Sequence, residues 1–121
     1  MMEKDKRREK RKHEKQEVEV EVLEMSSSGQ RPDPEKFTAV TENLSLNGVR
    51  IRCPRYFPVN TVLKIRLPLL KRKPVFLRGK IRWVENIEKE NIFGMGIEFM
   101  DTLPAEFITL MEHLYGAAKN F

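Results

Sequence analysis

Apolar and polar side chains alternate with a period of two along most of the chain. Val18, Val20 and Val22 are separated by Glu19 and Glu21, the pattern of a β-strand with one buried face and a row of glutamates on the other. Residues 25–36, MSSSGQRPDPEK, carry serines, a glycine and two prolines and read as a loop. A second strand is predicted from Phe37 to Thr41. It is followed by the turn Leu44-Ser45-Leu46-Asn47-Gly48, where Asn47-Gly48 suits positive φ values. Val49, Ile51 and Cys53 then alternate with Arg50 and Arg52, a third strand with a cationic outer face, which Pro54 and Pro58 end. Thr61 to Leu67 reads as a fourth strand, with Leu63, Ile65 and Leu67 on one side. Val75 to Val84 reads as a fifth, setting Leu77, Ile81 and Trp83 against Arg78, Lys80 and Arg82. A polar hairpin over 85–91 leads to Ile92 through Phe99, where Phe93, Met95, Ile97 and Phe99 share a face. Six short antiparallel strands at this spacing predict a small closed barrel, an arrangement that leaves no exposed sheet edge.

The period then changes. Pro104 suits the first turn of a helix, Phe107, Leu110, Met111 and Leu114 follow helical spacing, and Gly116 can stop it. The apolar stripe of this helix, about 104–115, is expected to pack on the barrel. The chain therefore reads as a mostly β fold, a six-stranded antiparallel barrel with a C-terminal α-helix. Its expected organisation is a flexible basic arm over 1–16, the barrel with its helix over 17–116, and a tail over 117–121.

Charge adds one feature that the alternation does not show. The 121 residues carry 23 Lys and Arg against 18 Asp and Glu, and the surplus is concentrated at the start. Residues 1–15 hold eight basic side chains and four acidic ones, whereas the remaining 106 hold 15 and 14. The positive charge belongs to an N-terminal arm and not to the whole surface, which argues against a broad nucleic-acid-binding face. The strand faces also lack the series of aromatics that single-stranded nucleic acid would stack on.

Composition excludes further classes. One cysteine, Cys53, allows neither an internal disulfide nor a Cys-rich zinc site and fits a reducing compartment. His13 and His113 stand alone, so a metal site is not expected. No apolar run reaches the ~20 residues that span a bilayer, and the charged start lacks the apolar stretch of a secretory signal. A cytoplasmic protein without catalytic activity is the expectation, because no P-loop, Gly-x-Ser-x-Gly, His-Glu-x-x-His or Cys-x-x-Cys pattern occurs.

Two features can carry chemistry. The arm holds Arg7, Arg8, Arg11 and Lys15, and arginine forks grip phosphates in pairs and stack on aromatic bases. The turn presents Asn43-x-Ser45-x-x-Gly48, short hydrogen-bonding groups beside a glycine that lets a ligand come close. Together they describe a site for a small anionic ligand bearing aromatic bases. Other roles stand beside these: a terminal Lys/Arg run is often a solvated tail, and Asn43 and Ser45 can simply bond their own turn. Arg50 and Arg52 either extend the positive surface or decorate an exposed strand. Trp83 shares parity with Leu77 and Ile81, so core is its default and base stacking the alternative. Lys71-Arg72-Lys73 reads as a solvated loop.

Arg-x-x-x-Arg, a strand, Asn43-x-Ser45-x-x-Gly48, and Phe93-Gly94-Met95-Gly96-Ile97-Glu98-Phe99 ahead of a helix resemble the PilZ-domain family over about residues 7 to 115. The resemblance implies a stand-alone bacterial receptor for cyclic di-GMP, with no cofactor beyond that ligand and a downstream protein partner. It implies a site of Arg7, Arg8, Arg11, Lys15, Asn43, Ser45, Gly48 and Arg52, with Arg50 and Trp83 at its margin. In that family the arginines embrace guanines and phosphates while the turn binds a guanine. The arginine frame stays open. Arg7-x-x-x-Arg11 keeps two guanidinium groups, whereas Arg11 to Lys15 sets Val18 and Val20 at the apolar positions that usually follow; Arg11 belongs to both. A PilZ-like adaptor that has lost the ligand and works through protein contacts is the alternative.

Overall fold

The computed structural model describes residues 15–25, 35–69, 73–88 and 91–116. Arg7, Arg8, Arg11 and His13, most of the expected loop at 25–36, Lys71 and Arg72, and the tail at 117–121 lie outside these residues. Six strands and one helix follow in order: β1 (Gln16–Glu24), β2 (Glu35–Leu44), β3 (Gly48–Cys53), β4 (Val62–Leu67), β5 (Val75–Glu88), β6 (Ile92–Met100) and α1 (Pro104–Tyr115). They form a closed barrel in the order β1-β2-β3-β6-β5-β4, and every neighbouring pair is antiparallel.

The alternation in sequence becomes the wall of this barrel. Val18, Val20 and Val22 point inward and are buried, as are Val49, Ile51 and Cys53 on β3 and Leu63, Ile65 and Leu67 around β4. Leu77, Ile81, Met95 and Ile97 complete one continuous core. Each such aliphatic side chain contributes about 1.5–3 kcal/mol when fully buried. β3 and β4 stand on opposite sides of the barrel, so their connection must cross one end. Phe57 in that connection is buried and stacks on Phe37, with ring centroids 5.1 Å apart. Asn60, which follows it, adopts φ 78°, a left-handed conformation that asparagine tolerates well.

Several expectations change. β2 begins at Glu35 and runs through Leu44, which is buried. Pairing with β1 claims Glu35 and Lys36 at one end, and pairing with β3 claims Leu44 at the other, residues whose neighbourhood reads as loop and turn. β5 continues to Glu88, because Glu85 and Asn86 pair with Gly94 and Phe93 of β6. Trp83 is not core: it is 39% exposed. Ile81 pairs with Ile97 but Trp83 pairs with Gly96, so β5 carries an extra residue there. A bulge of this kind reverses side-chain parity beyond it, sending Trp83 out and Val84 in against the core.

In α1, Leu110 and Leu114 are buried, whereas Phe107 is 39% exposed and Met111 only partly covered. The helix rests beside β5 on a narrower stripe than its apolar positions suggest. The N–H of Gly116 caps it on the carbonyl of Glu112 at 2.8 Å, and Gly116 takes φ 99°, a position suited to glycine. No helix among the described residues is long and apolar enough to cross a membrane.

Candidate functional site

The turn between β2 and β3 is built by Ser45. Its backbone N–H donates to the carbonyl of Gly48 at 2.9 Å, and its hydroxyl donates to the same oxygen at 3.3 Å while accepting from the N–H of Asn47. Ser45 is 3% exposed, so its hydroxyl holds the turn together. The N–H of Phe99 donates to the carbonyl of Asn47 at 2.8 Å, which fastens the turn to β6. Gly48 does not take the positive φ that the Asn-Gly pair suggests; of the described glycines only Gly116 does. A close approach is the reason for glycine instead. A Cβ on Gly48 would lie 2.2 Å from the carbonyl oxygen of Ile97.

Beside this turn the outer faces of β3, β5 and β6 form a cleft of about 310 Å³ lined by Asn43, Ser45, Gly48, Arg50, Trp83 and Glu98, among others. Gly96 sits under Trp83: a Cβ there would fall 2.1 Å from the indole Nε1. The ring therefore lies against bare β6 backbone. Arg50, paired across β3 with Gly96, brings its guanidinium carbon to 5.1 Å from the ring centroid, a cation–π distance.

The arginines of β3 are already engaged. Glu42 meets Arg50 Nε with Oε1 at 2.9 Å and Arg52 Nε with Oε2 at 2.7 Å. Neither Nε–H is aimed well enough at its carboxylate oxygen to form a hydrogen bond, so both contacts are ion pairs. Arg50 Nη2 also donates to Glu85 Oε2 at 3.0 Å. Arg82 Nε lies 3.1 Å from Glu98 Oε1. Arg50, Arg52 and Arg82 thus face Glu42, Glu85 and Glu98, and this part of the surface is close to neutral.

Pairing of β1 with β2 decides where the arm begins. Gln16 pairs with Thr41, and its carbonyl accepts from the Thr41 hydroxyl at 3.2 Å. Lys15 is the residue before this first pair. Lys15 itself is exposed and lines a separate hollow of about 620 Å³ with Arg52, Cys53 and Ile92.

Of the expected site residues, Asn43, Ser45, Gly48, Arg50 and Trp83 meet in one cleft, Arg52 and Lys15 border the neighbouring hollow, and Arg7, Arg8 and Arg11 lie outside the described residues. Arg82, Gly96 and Glu98 also line the cleft and Glu42 pairs with its arginines, although none of the four is among the expected site residues. Gly94 and Gly96 could have signalled the platform, because glycines at alternate outward positions of a strand mark a close approach. Among the described residues no group of three His, Cys, Asp or Glu side chains could hold a metal ion.

A family model described as the PilZ domain matches residues 5–116. Two solved structures share the fold. The Bacillus subtilis inhibitor of motility MotI/DgrA aligns with a TM-score of 0.66 at 17% identity, over 88% of this chain and 48% of that one. The Borreliella burgdorferi PlzA protein in complex with c-di-GMP aligns with a TM-score of 0.55 at 18% identity, over 95% of this chain and 38% of that one. The chain spans less than half the length of either. A comparison with curated proteins finds no match.

Proposed function

The chain belongs to the PilZ-domain family, and from that premise we propose that it is a receptor for cyclic di-GMP in bacterial second-messenger signalling, of the kind that controls motility. PilZ domains bind and report and do not catalyse. The observation that supports this reading is the cleft in which Asn43, Ser45 and Gly48 of the β2–β3 turn meet Trp83; the basic arm of residues 7–15 is proposed to cover it. On this reading two motifs separated by some thirty residues form one site. PlzA, a structural relative, is in complex with c-di-GMP.

Charge assigns the roles. Three glutamates offset the three arginines of the barrel wall, so the cations for two phosphates come from Arg7, Arg8 and Arg11, with Arg11 foremost. Each charge-assisted hydrogen bond from these contributes about 1.5–3 kcal/mol. The cleft, at the small end of the ~300–1,000 Å³ range of ligand sites, takes one guanine against Trp83, with Asn43 and the turn at its edge. The arm then closes over the rest of the dinucleotide, and that closure is what a downstream protein partner reads.

Calorimetric titration of the full chain with cyclic di-GMP tests this. Saturable binding is expected, with most of the affinity lost in Arg11→Ala and a smaller loss in Asn43→Ala. Absence of heat at hundreds of micromolar ligand would sink the receptor reading, and unchanged affinity in Arg11→Ala would show that the arm is misassigned.

A further inference from the structure

We propose that the Arg82–Glu98 ion pair at the cleft selects guanine over adenine, an inference that rests on the receptor reading above. Gly96 and Glu98 are both outward positions of β6, separated by two residues and so by about 6.6 Å along the strand. Trp83 lies on Gly96 and Glu98 lines the same cleft. A base stacked on the indole, with its edge about 3–4 Å from the ring centre and a hydrogen bond of about 2.8 Å beyond, covers the same distance.

The pair presented at that edge has a defined polarity. A guanidinium only donates and an ionised carboxylate only accepts, and Arg82 Nε holds Glu98 Oε1 at 3.1 Å. The two groups therefore offer one donor followed by acceptors. Guanine's Watson–Crick edge carries the O6 acceptor followed by the N1–H and N2–H donors, a direct complement. Adenine stacked in the same orientation turns an N6 donor toward Arg82 and the N1 lone pair toward the carboxylate, so both contacts become repulsive. Glu85 is the natural comparison. It is a similarly exposed carboxylate on the same wall, but Arg50 holds it and it does not line the cleft.

Binding of cyclic di-GMP and cyclic di-AMP is measured for the unaltered chain, Glu98→Gln and Glu85→Gln. Loss of one negative charge raises the affinity of both anionic ligands in either variant, so the ratio of dissociation constants is the readout. Glu98→Gln is expected to narrow that ratio by about tenfold, a modest share of what a fully desolvated polar site achieves, because the Glu98 side chain is 60% exposed. Glu85→Gln leaves it unchanged. A full ratio retained in Glu98→Gln, or equal narrowing in both variants, overturns the proposal while the receptor reading stands. No binding of cyclic di-GMP by the unaltered chain overturns both. Neither exposed substitution is expected to lower the melting temperature, which shows that each variant is folded.

Discussion

Gly48→Ala tests how tightly the binding turn is pressed onto β6. The added Cβ would lie 2.2 Å from the Ile97 carbonyl oxygen and 3.3 Å from its carbon. A weak C–H···O contact settles at about 3.3–3.6 Å, so β3 and β6 must part by ~1 Å. The obstructing atoms are main chain in a closed barrel and cannot rotate away as a side chain would. Overpacking of this kind costs about 1–3 kcal/mol. A 1 Å separation also disturbs the bond from Phe99 N–H to Asn47, at about 1 kcal/mol. The total is about 2–4 kcal/mol out of the ~5–15 kcal/mol by which a domain of this size is stable. At ~4–8 °C per kcal/mol, the melting temperature should fall by about 8–32 °C. Trp83 is the only tryptophan, and its fluorescence or far-ultraviolet circular dichroism follows the transition. A fall of less than about 3 °C would refute the reasoning, because it would mean that the turn and β6 are not in backbone contact.

Gly96→Ala meets the Trp83 ring instead of backbone, so the half-exposed indole swings away. Stability should change by less than in Gly48→Ala while cyclic di-GMP affinity falls, both measured on one preparation. Trp83→Ala should weaken binding roughly 5- to 150-fold by calorimetry, the equivalent of about 1–3 kcal/mol for a base stacked on an aromatic ring. Ser45→Ala removes the hydroxyl that joins Asn47 N–H to the Gly48 carbonyl, and chemical denaturation should report a loss of about 1 kcal/mol. Burial pushes the Cys53 thiol above its ordinary value of 9.0. The folded protein therefore keeps a proton that the unfolded chain gives up, and this contribution to stability is whole below pH 9 and lost as pH rises through the folded value. Denaturation midpoints should decline more steeply above pH 9 in the unaltered chain than in Cys53→Ala; equal slopes would count against it.

The barrel was legible in the sequence because its signal is local. A strand with one buried face alternates by geometric necessity, so Val18 to Val22 and Val49 to Cys53 declare both the element and the side that faces inward. The helix declares itself by the same logic with another period. Where polarity and pairing disagree, pairing prevails: Glu85 and Asn86 look like a hairpin tip, yet β6 offers them backbone partners. Trp83 fails for a related reason. One inserted residue at the bulge reverses parity, and nothing in the local pattern says where a strand will carry it.

For the site, the sequence by itself determined its ingredients: a basic arm, a turn of Asn43, Ser45 and Gly48, and outward arginines on the third strand. Side-chain chemistry and turn preference are properties of residues and their near neighbours, so they can be read one segment at a time. Only the tertiary structure decided that Glu42 already occupies two of the arginines, and that Trp83 lies on Gly96 with Glu98 lining the same cleft. Those facts depend on which strands pair and in what register. Register is fixed by the closure of the whole barrel, in which each strand must satisfy two neighbours at once.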